Sequence, residues 1–144
     1  MVRNLKYIKN IIEGYFAQHP MINDIKFGDT DKLSTYKKLK YPLLNFEYVK
    51  SNFNAGNDNA TIWEFAIMDL SDELTEFDII DNTNEIAQDF LKWLAEHDDI
   101  EISGNVSVVP FSDNFGDLCS GNVFTVTFSS FRNNCLNILP KKTK

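Results

Sequence analysis

The chain has 144 residues and a mass of 16.6 kDa, with 43% hydrophobic and 24% charged residues, which suits one globular domain and excludes a disordered or fibrous protein. Its net charge of -7 is unevenly laid out: residues 1–50 hold nine Lys or Arg against five Asp or Glu, residues 51–140 hold two against sixteen, and residues 141–144 add three Lys. Such a negative body excludes tight sequence-independent binding of nucleic acid, which needs clustered cations, and permits a surface that nucleic acid slides past.

Leu5, Ile8, Ile12, Tyr15 and Phe16 fall at helical spacing and predict an amphipathic helix over 5–18, ended by His19-Pro20. A short strand over 24–27 follows, before Gly28-Asp29. Residues 29–40 have little periodicity and carry Lys32, Lys37, Lys38 and Lys40, the pattern of a surface loop. After Pro42, Leu44, Phe46 and Tyr48 alternate with Asn45 and Glu47, which predicts a half-buried strand. Residues 52–59 are turn chemistry. The next stretch, 61–70, is apolar on both faces, with Trp63, Phe65 and Ile67 on one and Ile62, Ala66 and Met68 on the other, as a central strand would be.

Residues 69–81 are acidic and lack Gly and Pro, so a helical turn or an irregular crossing is expected. Asn82 and Glu85 then form a capping box for a helix carrying Ile86, Phe90, Trp93 and Leu94 and ending near Glu96 or His97. Gly104-Asn105 divides residues 100–110 into a turn and a strand, Val106–Val109. A loop from Phe111 to Gly121 feeds a strand in which Phe124, Val126 and Phe128 alternate with Thr125, Thr127 and Ser129, and residues 132–139 read as extended. The predicted fold is α+β: one domain over residues 1–140, a mostly antiparallel sheet of four to five strands with two helices packed on one face, and a basic tail over 141–144. Twelve Phe in so small a chain predict a thick core or an apolar contact surface.

Equipment for catalysis is sparse. Asp69, Asp72, Glu73, Glu76, Asp78 and Asp81 lack the loop spacing that wraps calcium and read as a solvated acidic face. Asp113 and Asp117, four apart near Gly116, offer a metal site or an acid/base pair or, more simply, an Asx-rich turn. Cys119 with His97 would be the one nucleophile–base pairing to consider; otherwise Cys119 and Cys135, outside any CxxC or zinc spacing, serve as small reduced apolar residues. His19 and His97 stand at predicted helix ends, positions suited to surface or capping roles. No phosphate loop, HExxH or GxSxG occurs. The expectation is a non-enzyme without metal or cofactor. With no apolar run of about 18 residues and no apolar signal core, no membrane is expected and the protein should remain in the cytoplasm. The cationic 32–40 segment and tail, set against an acidic middle, allow one copy to dock on the next head to tail.

The ordered segments LKYIKNIIEGYFAQHPMINDIKFGD, YPLLNFEY, IWEFAIMDL, NTNEIAQDFLKWL and PFSDNFGDLCSGNVFTVTF, with the ending Cys135 to Pro140, resemble the tail-terminator and head-tail connector (neck) proteins of tailed bacteriophages, those infecting Bacteroidetes in particular. The resemblance spans nearly the whole chain. It implies two helices against a mostly antiparallel sheet, a homo-oligomeric ring in the virion assembled in the host cytoplasm, neighbouring portal, neck or tail proteins, and a channel through which DNA passes without specific binding. It carries over no catalytic residue. It implies subunit contacts through Lys32, Lys37, Lys38 and Lys40 and through the 111–121 loop. Within that loop the aromatic and apolar anchors would be Phe111, Phe115 and Leu118. Asp69, Asp72, Glu73 and Glu76 would then face the lumen, where fixed negative charge keeps DNA from adhering. The alternatives are a small hydrolase using Asp113/Asp117 or Cys119, and a monomeric protein-binding adaptor.

Overall fold

The computed structural model describes residues 5–29, 38–53, 58–72, 74–98, 100–112 and 119–131. Helix α1, Leu5–Gln18, buries Ile8, Ile12 and Phe16 along one stripe, as predicted. Strand β1, Asp24–Phe27, pairs parallel with β2, Leu43–Phe53. Strand β3, Asp58–Leu70, runs antiparallel to β2 and, on its other side, to β6, Cys119–Phe131. Helix α2, Glu76–Ala95, links β3 to two short strands, β4 (Glu101–Ile102) and β5 (Val109–Ser112), both antiparallel to the same edge of β6. The sheet order is β1-β2-β3-β6-β4, with β5 beside β6. The fold is therefore α+β, with a mixed, mostly antiparallel sheet of six strands where four to five were expected. The extra strand arises because the 100–112 stretch pairs at both its ends, with Gly104 at φ 73° between them.

Both helices pack on one face. Phe46, Phe65 and Phe124 stand side by side on three adjacent strands, with ring centroids 6.0 and 5.0 Å apart and nearly parallel planes. Phe90 of α2 caps this row at 5.2 Å from Phe65, and Phe16 of α1 meets Phe90 at 4.7 Å. Trp63, Ile67, Val126 and Phe128 complete the layer. Six of the twelve Phe (16, 46, 65, 90, 124 and 128) are thus core residues, and the thick core accounts for half of the composition.

The sequence reading needs correction in five places. The start of β2 is covered on both faces: Leu43, Leu44, Asn45 and Phe46 are all buried, because a second cluster of Leu43, Ala66, Met68 and Cys119, joined by Leu39, Tyr41 and Phe111, covers the far side of the sheet there. Strands β2 and β3 extend into the expected turn, pairing as far as Phe53 and Asn59. Helix α2 begins at Glu76, so Asn82 is an exposed residue inside the helix and no cap. The start signal lies one box upstream, where the Asp72 carboxylate accepts the N–H of Leu74 and of Thr75 at 2.9 Å and the Thr75 hydroxyl accepts the Asp72 N–H at 3.1 Å. Ile79 and Thr83 carry the buried stripe of Ile86, Phe90 and Leu94 back to that point. The predicted strand Val106–Val109 is likewise displaced, to Val109–Ser112, and the predicted loop Phe111–Gly121 gives its first two and last three residues to β5 and β6.

Candidate functional site

The chain's surface chemistry concentrates where β3 turns into α2. Leu70 is 52% exposed, Leu74 91% and Phe77 77%, three apolar side chains left in water within eight residues. They are interleaved with acids. Asp69 folds back on its own strand, its carboxylate accepting the Leu70 N–H at 2.8 Å. Asp72, in the open, is held below the ordinary carboxylate range, first by the Thr75 N–H and then by the Thr75 hydroxyl and the Leu74 N–H. Glu76 and Asp78 occupy the first turn of α2, where the positive end of the helix dipole favours them. The described ion pairs, Lys9–Glu13, His19–Asp89 and Lys26–Asp24, all lie elsewhere. Glu73 lies outside the described residues.

The acidity continues beyond that turn. Asp78, Asp81, Glu85 and Asp89 follow one another at spacings of three and four on α2 and are exposed, so they line the side of the helix turned from the sheet. Like charges at such spacing oppose one another by a few tenths of a kcal/mol per pair, roughly.

The predicted cationic contact divides. Lys32 and Lys37 lie outside the described residues. Lys38 and Lys40 are exposed, and the Lys40 N–H donates to Asp24 at 3.2 Å, so both stand at the start of β1 and β2. Leu43 pairs with Met68, which puts them at the same end of the sheet as Asp69 and Leu70. A head-to-tail contact between opposite ends of the sheet would therefore not bring Lys38 and Lys40 to that acidic turn. Phe111 is half-buried and packs on the second cluster of its own chain; Phe115, Leu118, Asp113 and Asp117 lie outside the described residues.

Residues considered for nucleophilic chemistry are kept apart. Cys119 is buried beside Leu43, Ala66 and Met68 on the sheet face opposite the helices. His97 packs edge-on against Trp93 at 5.0 Å, beyond the far end of α2. From Ile80, which bonds Asn122 near the start of β6, to Ala95 the helix rises about 22 Å, so His97 does not reach Cys119. His19 serves as a bracket instead: its Nδ1 accepts the Met21 N–H at 3.2 Å, which places the ring proton on Nε2, and Nε2 donates to Asp89 at 3.1 Å. With both nitrogens engaged, the ring has no lone pair left to act as a base. Beside it, Tyr15, Gln18, Pro20 and Trp93 line an open pocket of about 280 Å³. Burial, and secondarily the Asp89 charge, pushes the Tyr15 phenol up.

Among the described residues no group of three or more His, Cys, Asp or Glu is placed to hold a metal, and no helix is long and apolar enough to cross a membrane. No protein-family model matches the chain, and neither does a search of the curated proteins. The exposed turn of Leu70, Leu74 and Phe77 was missed in the sequence. Its signal was there: Phe77 stands about 200° around α2 from Ile79, so an apolar residue points away from the buried stripe.

Proposed function

We propose that the chain is a structural subunit that acts by assembly, and specifically a ring-forming neck or tail-terminator protein of a tailed phage. The observation that carries the assembly half is the exposure of Leu70, Leu74 and Phe77 within eight residues, apolar side chains interleaved with acids and left in water by a solitary protein. The phage half rests on the segment resemblance across the chain. The acidic side of α2 supports it: four carboxylates held at repelling spacing lower stability slightly, and they suit a wall past which DNA slides. In this reading Asp81, Glu85 and Asp89, on the outer side of α2, face the channel, while Asp69, Asp72 and Glu76 belong to the contact between subunits.

Native mass spectrometry and negative-stain microscopy of the purified chain, alone and with the particle's portal and tail components, test the proposal. Annular particles or incorporation into a neck complex are expected. A chain that stays monomeric at every concentration and is missing from purified particles overturns it and favours the adaptor reading, to which the same apolar turn would be suited.

A further inference from the structure

The position of the apolar turn relative to the end of β6 identifies what covers it. The residues after β6, 132–144, read RNNCLNILPKKTK: Leu136, Ile138 and Leu139 are apolar, Lys141, Lys142 and Lys144 follow, and no acid is present. This is the complement of Leu70, Leu74 and Phe77 within Asp69, Asp72, Glu76 and Asp78. Within one molecule the apolar residues of this segment fall short of the turn. Phe131 pairs with Asp58 at one end of the sheet and Leu70 with Cys119 at the other, and the twelve steps of β3 between them span about 40 Å. Leu136 to Leu139 lie five to eight residues past Phe131, a reach of roughly 18–29 Å for a fully extended chain.

We propose that the Leu136–Lys144 segment of one copy docks on the Leu70–Leu74–Phe77 turn of the next, an inference that rests on the ring reading above. The contact is heterologous, joining opposite ends of the sheet, so repetition closes a ring or grows a filament. It also sets the orientation of each subunit: β3 and β6 run around the circumference, because strands parallel to the channel would hold every turn about 40 Å from every neighbouring segment. Apolar anchoring supplies the holding energy, and the Lys and acid pairing makes assembly weaken with salt.

Complementation tests it in the full chain. One variant carries Leu74→Ser with Phe77→Ser, the other Ile138→Ser with Leu139→Ser, and near-ultraviolet circular dichroism checks that each is folded. At a concentration where the unaltered chain assembles, each variant alone should be monomeric in native mass spectrometry, and an equal mixture should give a one-to-one dimer, joined by the single contact that remains intact. Lys141→Glu with Lys142→Glu replaces the second variant should its serines disturb folding. Variants that assemble as the unaltered chain does, or a mixture that stays monomeric, overturn the docking and leave the ring reading standing. An unaltered chain that never assembles, alone or with the particle's portal and tail components, and is missing from purified particles overturns both.

Discussion

Asn122 of β6 and Thr83 of α2 meet across the junction of helix and sheet: the Asn122 amide donates to the Thr83 hydroxyl at 2.8 Å and to the Ile80 carbonyl at 2.8 Å. The hydroxyl in turn donates to the Ile79 carbonyl at 2.8 Å, so a buried polar pair is fully engaged where the surrounding contacts are apolar. Thr83→Val keeps the shape and strands one amide hydrogen. A loss of about 1–3 kcal/mol in urea unfolding is expected, and Asn122→Leu added to it should recover part of that loss. An unchanged midpoint for Thr83→Val would show that the bond contributes nothing net.

Gly121 sits where the backbone of β3 comes close against β6. A Cβ there would collide with the carbonyl oxygen of Ile67 and stand 2.8 Å from the Met68 Cα, both of them backbone atoms that cannot swing aside. Gly121→Ala should therefore cost on the order of 1–3 kcal/mol, lowering the denaturation midpoint without changing its slope.

Asp72 ties α2 to the acidic turn, and its charge makes the tie sensitive to acid. Its folded pKa lies below the unfolded one, so its contribution is present above the ordinary carboxylate range and is lost as pH falls through the folded value. Asp72→Asn should melt below the parent at about pH 7, with the difference closing as the pH falls through the lowered folded value. A gap that persists in acid would assign the effect to shape.

Tyr15 titrates high chiefly through burial and secondarily through Asp89. Asp89→Asn removes the smaller cause, so the Tyr15 midpoint, followed by NMR of ring-labelled tyrosine, should fall but stay above the ordinary phenol range. The same change replaces the charged acceptor of His19 with a neutral amide oxygen and should weaken that bracket.

What could be read in the sequence divides along physical lines. Elements whose burial follows a single periodicity were legible: α1 through Ile8, Ile12 and Phe16, β3 through Trp63, Phe65 and Ile67, β6 through Phe124, Val126 and Phe128. The start of α2 was not, because Asn82-Glu85 and Asp72-Thr75 are competing start signals of similar local strength, and the upstream one was selected by the burial of Ile79 and Thr83 against the sheet. Short strands β4 and β5 carry no pattern of their own; they exist because β6 offers an edge. The acidic surface was legible as charge, yet its apolar centre was not, since exposure is decided by the direction in which a helix leaves its turn.

Strand β6 lies inside the sheet between β3 and the β4/β5 edge, although it is the last of the six to be synthesised. Until residue 131 has left the ribosome, β3 presents an unpaired backbone edge and Phe65 lacks the Phe124 ring that stacks on it. The nascent chain must wait in that state. A message cut short before β6 would yield an aggregating fragment in place of a reduced subunit, and a slow ribosome over codons 96–131 would lower the yield of soluble protein more than one stalled earlier.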